Sequence, residues 1–162
     1  RARSARRLSN RTLSPRAKRN HAMRFLAAFI AGFLATLIFH QGTIGLLHGL
    51  GAIPVQPYPL QPTWPLGVPQ VISLAFWGGV WGLVLWAIIR NARGLKYWGL
   101  CVGLGALGPT AVAMAVVFPL KRMPVHATTA VAGLILNGIW GLGTGVLILA
   151  YFLIMGWLGR QP

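Results

Sequence analysis

Val71-Ile72-Ser73-Leu74-Ala75-Phe76-Trp77-Gly78-Gly79-Val80-Trp81-Gly82-Leu83-Val84-Leu85-Trp86-Ala87-Ile88-Ile89 carries no charge and stops at Arg90. As an α-helix these residues rise about 28 Å, close to the roughly 30 Å hydrocarbon core of a bilayer. The stretch shows no apolar/polar alternation, which excludes a half-buried strand, and a helix that is apolar all round belongs in lipid or in the core of a large protein. The same ruler marks three more segments, giving spans at residues 25–50, 71–89, 98–118 and 127–158. The last is longer than a perpendicular crossing needs, so it should tilt or project beyond the bilayer. An all-α four-helix transmembrane bundle over residues 23–162 is therefore predicted. The composition agrees: 9% of the 162 residues are charged and mean hydropathy is +0.65, whereas soluble domains carry about a quarter charged residues.

The chain has 15 Lys+Arg and no Asp or Glu. It therefore supplies no carboxylate general acid or base, no carboxylate-oriented Ser/His pair and no carboxylate ligand for magnesium or calcium. An intramembrane acidic relay, the usual equipment of proton- or cation-coupled transport, is excluded on the same ground. An enzyme is not expected. The single Cys101 permits no intrachain disulfide and reads as a small apolar filler on a helix.

Arg1, Arg3, Arg6, Arg7, Arg11, Arg16, Lys18 and Arg19 all precede Met23. Residues 1–22 read as a disordered basic arm, because so few apolar residues cannot bury enough surface to fold. Met23-Arg24 stands directly before the first apolar run, as it would if the reading frame extended upstream of its true start at Met23. If expressed, the arm suits anionic lipid. No aromatic residue interleaves its basic ones, so nucleic acid is not an expected partner.

Outside the spans, Arg24, Arg90, Arg93, Lys96 and Arg160 fall on one side and only Lys121 and Arg122 on the other. The positive-inside rule then places both termini in the cytoplasm. The first connection, on the exoplasmic side, is uncharged and holds Pro54, Pro57, Pro59, Pro62, Pro65 and Pro69. Such spacing disfavours helix and sheet and favours stiff extended backbone. With Tyr58, Leu60, Trp64 and Leu66 interleaved, the loop should lie on the interface or cap the bundle.

Gly79-Val80-Trp81-Gly82-Leu83 in the second span matches Gly138-Ile139-Trp140-Gly141-Leu142 in the fourth. Two tandem helical hairpins would give that repeat, and so would the general enrichment of Gly and Trp in membrane helices. Small residues also recur four apart, at Ala28/Gly32, Gly45/Gly49, Gly78/Gly82, Gly99/Gly103 and Gly141/Gly145. They let backbones approach closely, within the chain or between chains, and so admit a homo-oligomer or a larger membrane complex. Pro109 should kink the third span.

The polar side chains gather toward the exoplasmic ends: His40, Gln41, Thr43 and His48 in span one, Thr110 in span three, and His126 and Asn137 toward the start of span four. One reading is a small-molecule pocket open to that side, with Trp77, Trp81 and Trp140 as walls and His40, Gln41, Thr110 and Asn137 as hydrogen-bonding groups. His40, His48 and His126 are the only side chains there that could hold a metal or haem. No HxxxH pair occurs, so the expectation is no metal and no cofactor. For Asn137 an interhelical hydrogen bond competes with a ligand contact.

Phe39-His40-Gln41 and Pro65-Leu66-Gly67-Val68-Pro69-Gln70-Val71-Ile72-Ser73-Leu74-Ala75-Phe76-Trp77-Gly78-Gly79 resemble a group of small four-span bacterial inner-membrane proteins of unassigned function. That resemblance covers Met23 onward and implies the architecture and a multi-pass inner-membrane location, without a mechanism. The Pro/Trp-rich loop running into Phe76, Trp77 and Trp81 is more distantly similar to tryptophan-rich sensory or translocator proteins that bind porphyrin and sterol. Those have five spans and acidic residues that this chain lacks, so none of their sites is carried over. The function expected is that of a non-enzymatic accessory or interaction protein; the alternative is a carrier or sensor of a small apolar or aromatic ligand.

Overall fold

The computed structural model describes residues 15–158. Helix α1 (Pro15–Ala35) passes through a π-helical turn, Thr36–His40, into α2 (Gln41–Gly49). Helix α3 covers Gln70–Ile89 and α4 Gly94–Val112; a second π-helical turn, Ala113–Val117, leads into α5 (Phe118–Leu120), and α6 covers Ala127–Leu158. Four helical stretches are long and apolar enough to cross a membrane: Ala22–Gly49, Gln70–Ile89, Gly94–Leu120 and Ala127–Gly156, spans one to four below. Helix is what such sequences must form, because hydrocarbon offers no partner for a backbone that does not bond itself.

Two expected boundaries move. The arm read as disordered to residue 22 is helical from Pro15. Proline suits a first helical turn, and the Ala, Arg and Lys that follow are good helix formers, so the helix propagates outward from the span. Residues 1–14 lie outside the described residues. Span three begins at Gly94, since Lys96 in its first turn can lay its methylenes along the helix and keep the ammonium in water.

The chain folds as two hairpins. Spans one and two cross where Gly32 meets Gly78 and Gly82: a β-carbon on Gly32 would strike the Gly78 carbonyl, and one on Gly82 would strike the Ala28 carbonyl. Thr36 donates back to the Gly32 carbonyl at 3.1 Å and packs against Gly78. Spans three and four cross in the same way. A β-carbon on Gly105 would lie 2.7 Å from the Gly141 Cα, and one on Gly141 would strike the Cys101 carbonyl. Gly82 and Gly141, equivalent in the sequence repeat, thus occupy equivalent places in the two crossings. With no hydrophobic drive between helices in lipid, such backbone approach supplies much of the attraction.

The repeat tryptophans tie the hairpins together. Trp140 of span four donates its indole N–H to the Gly32 carbonyl of span one at 3.0 Å, and the Trp81 ring of span two lies against Gly108 of span three. Each therefore reaches the first helix of the opposite hairpin. Span one packs along span four, whereas spans two and three touch over a shorter length. The core at these crossings is made of Ala28, Ala31, Ala35, Leu85, Ile89, Cys101, Trp140 and Ile148.

Of the nine glycines in these spacings, Gly49, Gly99 and Gly103 make no close contact within the described chain. A β-carbon on Gly99 or Gly103 would meet nothing within 4 Å, so both face outward from the described chain. Spacing identifies a smooth stripe without saying which way it points, and Gly105, on another face of the same helix, makes the crossing instead. Gly145 does pack, against the Cys101 sulfur and Trp98. Pro109 lies inside α4, one turn before the second π-helical turn, the kind of local unwinding that accompanies a missing backbone donor.

The proline-rich loop also departs from expectation, for it contains a short antiparallel ladder pairing Pro62 with Pro69 and Thr63 with Val68. Proline is tolerated there because a ladder so short asks few N–H groups of it. Gln70 N–H to Gln61 O and Val71 N–H to Pro59 O, both at 2.9 Å, tie the loop to the start of span two.

Candidate functional site

The residues expected to form an exoplasmic pocket separate into self-contained contacts. Gln41, 1% exposed, accepts the backbone N–H of Tyr58 at 2.8 Å, and the Tyr58 hydroxyl donates to the Leu37 carbonyl at 2.9 Å. Both bonds fasten the loop to the end of span one that carries Gln41. They hold Tyr58 at a φ of +52°, a left-handed conformation that costs a non-glycine residue roughly 1–2 kcal/mol. Sequence offers no sign of this pairing, since the partners lie 17 residues apart across a loop.

Thr110 and Asn137 meet across spans three and four, with Asn137 Nδ2 donating to Thr110 Oγ1 at 2.9 Å. The Thr110 methyl fills the space above Gly133. This is the interhelical bond that competed with ligand contact in the sequence reading. Trp140 is buried and its N–H is used by Gly32. Trp81 is half-buried against Gly108.

Trp77 is not a pocket wall. It is 58% exposed and meets Phe76 edge-on at 5.8 Å between ring centroids. One helical residue separates about 100° of arc, so Trp81 and Trp77, four apart, share a broad face but not a contact, and only Trp81 reaches the neighbouring hairpin. His40 lies half-buried in the first π-helical turn; its Nδ1 is enclosed and has no hydrogen-bond partner. His48 Nδ1 is 3.2 Å from the Ile53 carbonyl, and His126 is exposed just before span four. Among the described residues no group of three or more His, Cys, Asp or Glu is placed to hold a metal ion.

The end of the bundle that carries Arg24 and Arg90 holds a feature not foreseen from the sequence. A groove of about 270 Å³ lies between the spans there, lined by Arg24, Trp86, Arg90, Tyr97 and Phe152 over a floor of Ile89 and Ile148. Trp86 and Phe152 stack at 5.1 Å, and the Arg24 guanidinium sits over the Phe152 ring at 5.8 Å. Tyr97 donates its hydroxyl to the Gly145 carbonyl at 2.7 Å, fixing that wall. The available signal was the convergence of two arginines and three aromatics on one end of the bundle; reading the arginines only for orientation passed over it.

No family model, curated protein or solved structure matches the chain.

Proposed function

We propose that the protein is a non-enzymatic accessory or interaction protein of a bacterial inner membrane, with both termini cytoplasmic. The observation that carries this reading is the internal use of its polar groups: Gln41, Thr110, Asn137 and Trp140 each bond within the chain, which leaves little chemistry for a substrate. The absence of Asp and Glu supports it, as does the resemblance to small inner-membrane proteins of unassigned function. Orientation rests on Arg24, Arg90, Arg93 and Lys96 at one end of the bundle against Lys121 and Arg122 at the other. The association surface is the open face of span three around Gly99 and Gly103, where a second helix, from another copy or another protein, can approach closely.

Cross-linking in the native membrane tests the reading. Gly99→Leu with Gly103→Leu should leave the chain folded and abolish its cross-linked species. Unchanged cross-linking in that variant would remove the proposed surface, and with it the support for an assembly role.

A second reading, a carrier or sensor of a small apolar or aromatic molecule, has one observation in its favour: the enclosed, unpartnered Nδ1 of His40. Loss of function in His40→Ala with assembly intact would favour it.

A further inference from the structure

We infer that the groove lined by Arg24 and Arg90 is a binding site for the phosphate of an anionic phospholipid. Charge complementarity is the first ground. The chain contains no Asp or Glu, so no side-chain carboxylate exists to neutralise either guanidinium, and a planar guanidinium matches phosphate oxygens with paired donors. Both arginines are exposed at their span ends, at the depth where lipid headgroups lie.

Pre-organisation is the second ground. Arg24 is laid on Phe152, which is itself stacked on Trp86, so the guanidinium is steadied on an aromatic platform while its edge remains able to donate. Because Tyr97 is committed to Gly145 and Ile89 is fully buried, the remaining walls are fixed as well.

The groove's shape selects a lipid over a free anion. Beside the arginines its lining is apolar, through the buried Ile89 and Ile148 and through Leu149, which is 41% exposed on span four. A phosphate with an acyl chain satisfies both halves of such a surface; inorganic phosphate satisfies one. At about 270 Å³ the groove has room for far more than one water, which takes roughly 30 Å³. The assignment does not depend on which leaflet this end faces.

The test reads lipid retained by the full chain, reconstituted in phosphatidylcholine bilayers containing phosphatidylglycerol and released into native mass spectrometry, counting adducts per folded chain. Arg24→Gln with Arg90→Gln should lower phosphatidylglycerol retention roughly ten- to thirtyfold, given about fivefold per basic residue at a membrane surface. Arg93→Gln with Lys96→Gln removes the same charge from the same end outside the groove, and should change retention less than about twofold. Equal losses in the two variants would reduce the effect to diffuse surface charge and overturn the site. Complete displacement of the lipid by millimolar inorganic phosphate, or equal retention of phosphatidylcholine, would overturn the assignment to an anionic lipid.

Discussion

Trp140 shows how much of the architecture hangs on single residues. An indole N–H inside a membrane must find an acceptor, and it finds Gly32, a residue of the other hairpin. Sequence marks Trp140 as a pocket wall at the centre of a repeat motif; which carbonyl it reaches depends on how two hairpins dock, and no spacing encodes that. Trp140→Phe loses the bond and part of the buried ring volume, so it should cost about 1–2 kcal/mol in unfolding from lipid particles. Gly32→Ala should cost more, above about 2 kcal/mol, because the added methyl meets backbone, which cannot turn aside. Gly99→Ala, with open space around it, should fall within about 0.5 kcal/mol of the parent. The same unfolding assay checks all three, and a Gly99→Ala loss as large as that of Gly32→Ala would contradict the crossing described. For Asn137 and Thr110, a double-mutant cycle with Asn137→Leu and Thr110→Val should give a coupling of about 0.6–1.7 kcal/mol. No coupling would mean that Asn137 is available to a ligand after all.

At the scale of elements, length and hydropathy were sufficient to find every span, because a bilayer imposes one thickness on all of them. The hairpin pairing was legible only as a faint echo, five residues long, whose meaning appears when Gly82 and Gly141 are seen at matching crossings. The two π-helical turns had no clear signal beyond Pro109, since a single inserted residue does not alter hydropathy. The loop was misread in part: prolines that exclude a long strand still allow the two-residue ladder from Pro62–Thr63 to Val68–Pro69. Its anchoring gives a measurable consequence. Gln41→Leu removes the acceptor for the Tyr58 amide and should raise hydrogen exchange at Tyr58 at least about tenfold while exchange within spans three and four is unchanged, as expected of a local opening. Unchanged exchange at Tyr58 would show that the loop is held elsewhere.

For the molecule as a whole, composition removes one kind of chemistry: with no Asp or Glu the chain offers no side-chain carboxylate. Within that limit the candidate pocket was legible as a set of polar residues near one end, but not as a set of bonds, because each polar group in lipid is as ready to pair with a neighbour as with a ligand. The basic end illustrates the converse, since residues read only for orientation also line a groove with a shape of its own. Orientation itself is checked with single cysteine reporters at Gln61 and Asn91 in a Cys101→Ala background. An impermeant thiol reagent added to intact cells should label the first and not the second, and labelling of Asn91 alone would invert the bundle.

We propose that this bundle, which pairs Gln41, Thr110, Asn137 and Trp140 within the chain, acts by association, and the most direct test is the mass of the chain released from its own membrane in lipid particles. Association requires a stoichiometric second polypeptide, another copy or a different protein, lost when Gly99 and Gly103 are both changed to Leu. A lone chain carrying a tightly held small organic molecule, displaced by His40→Ala, would contradict it.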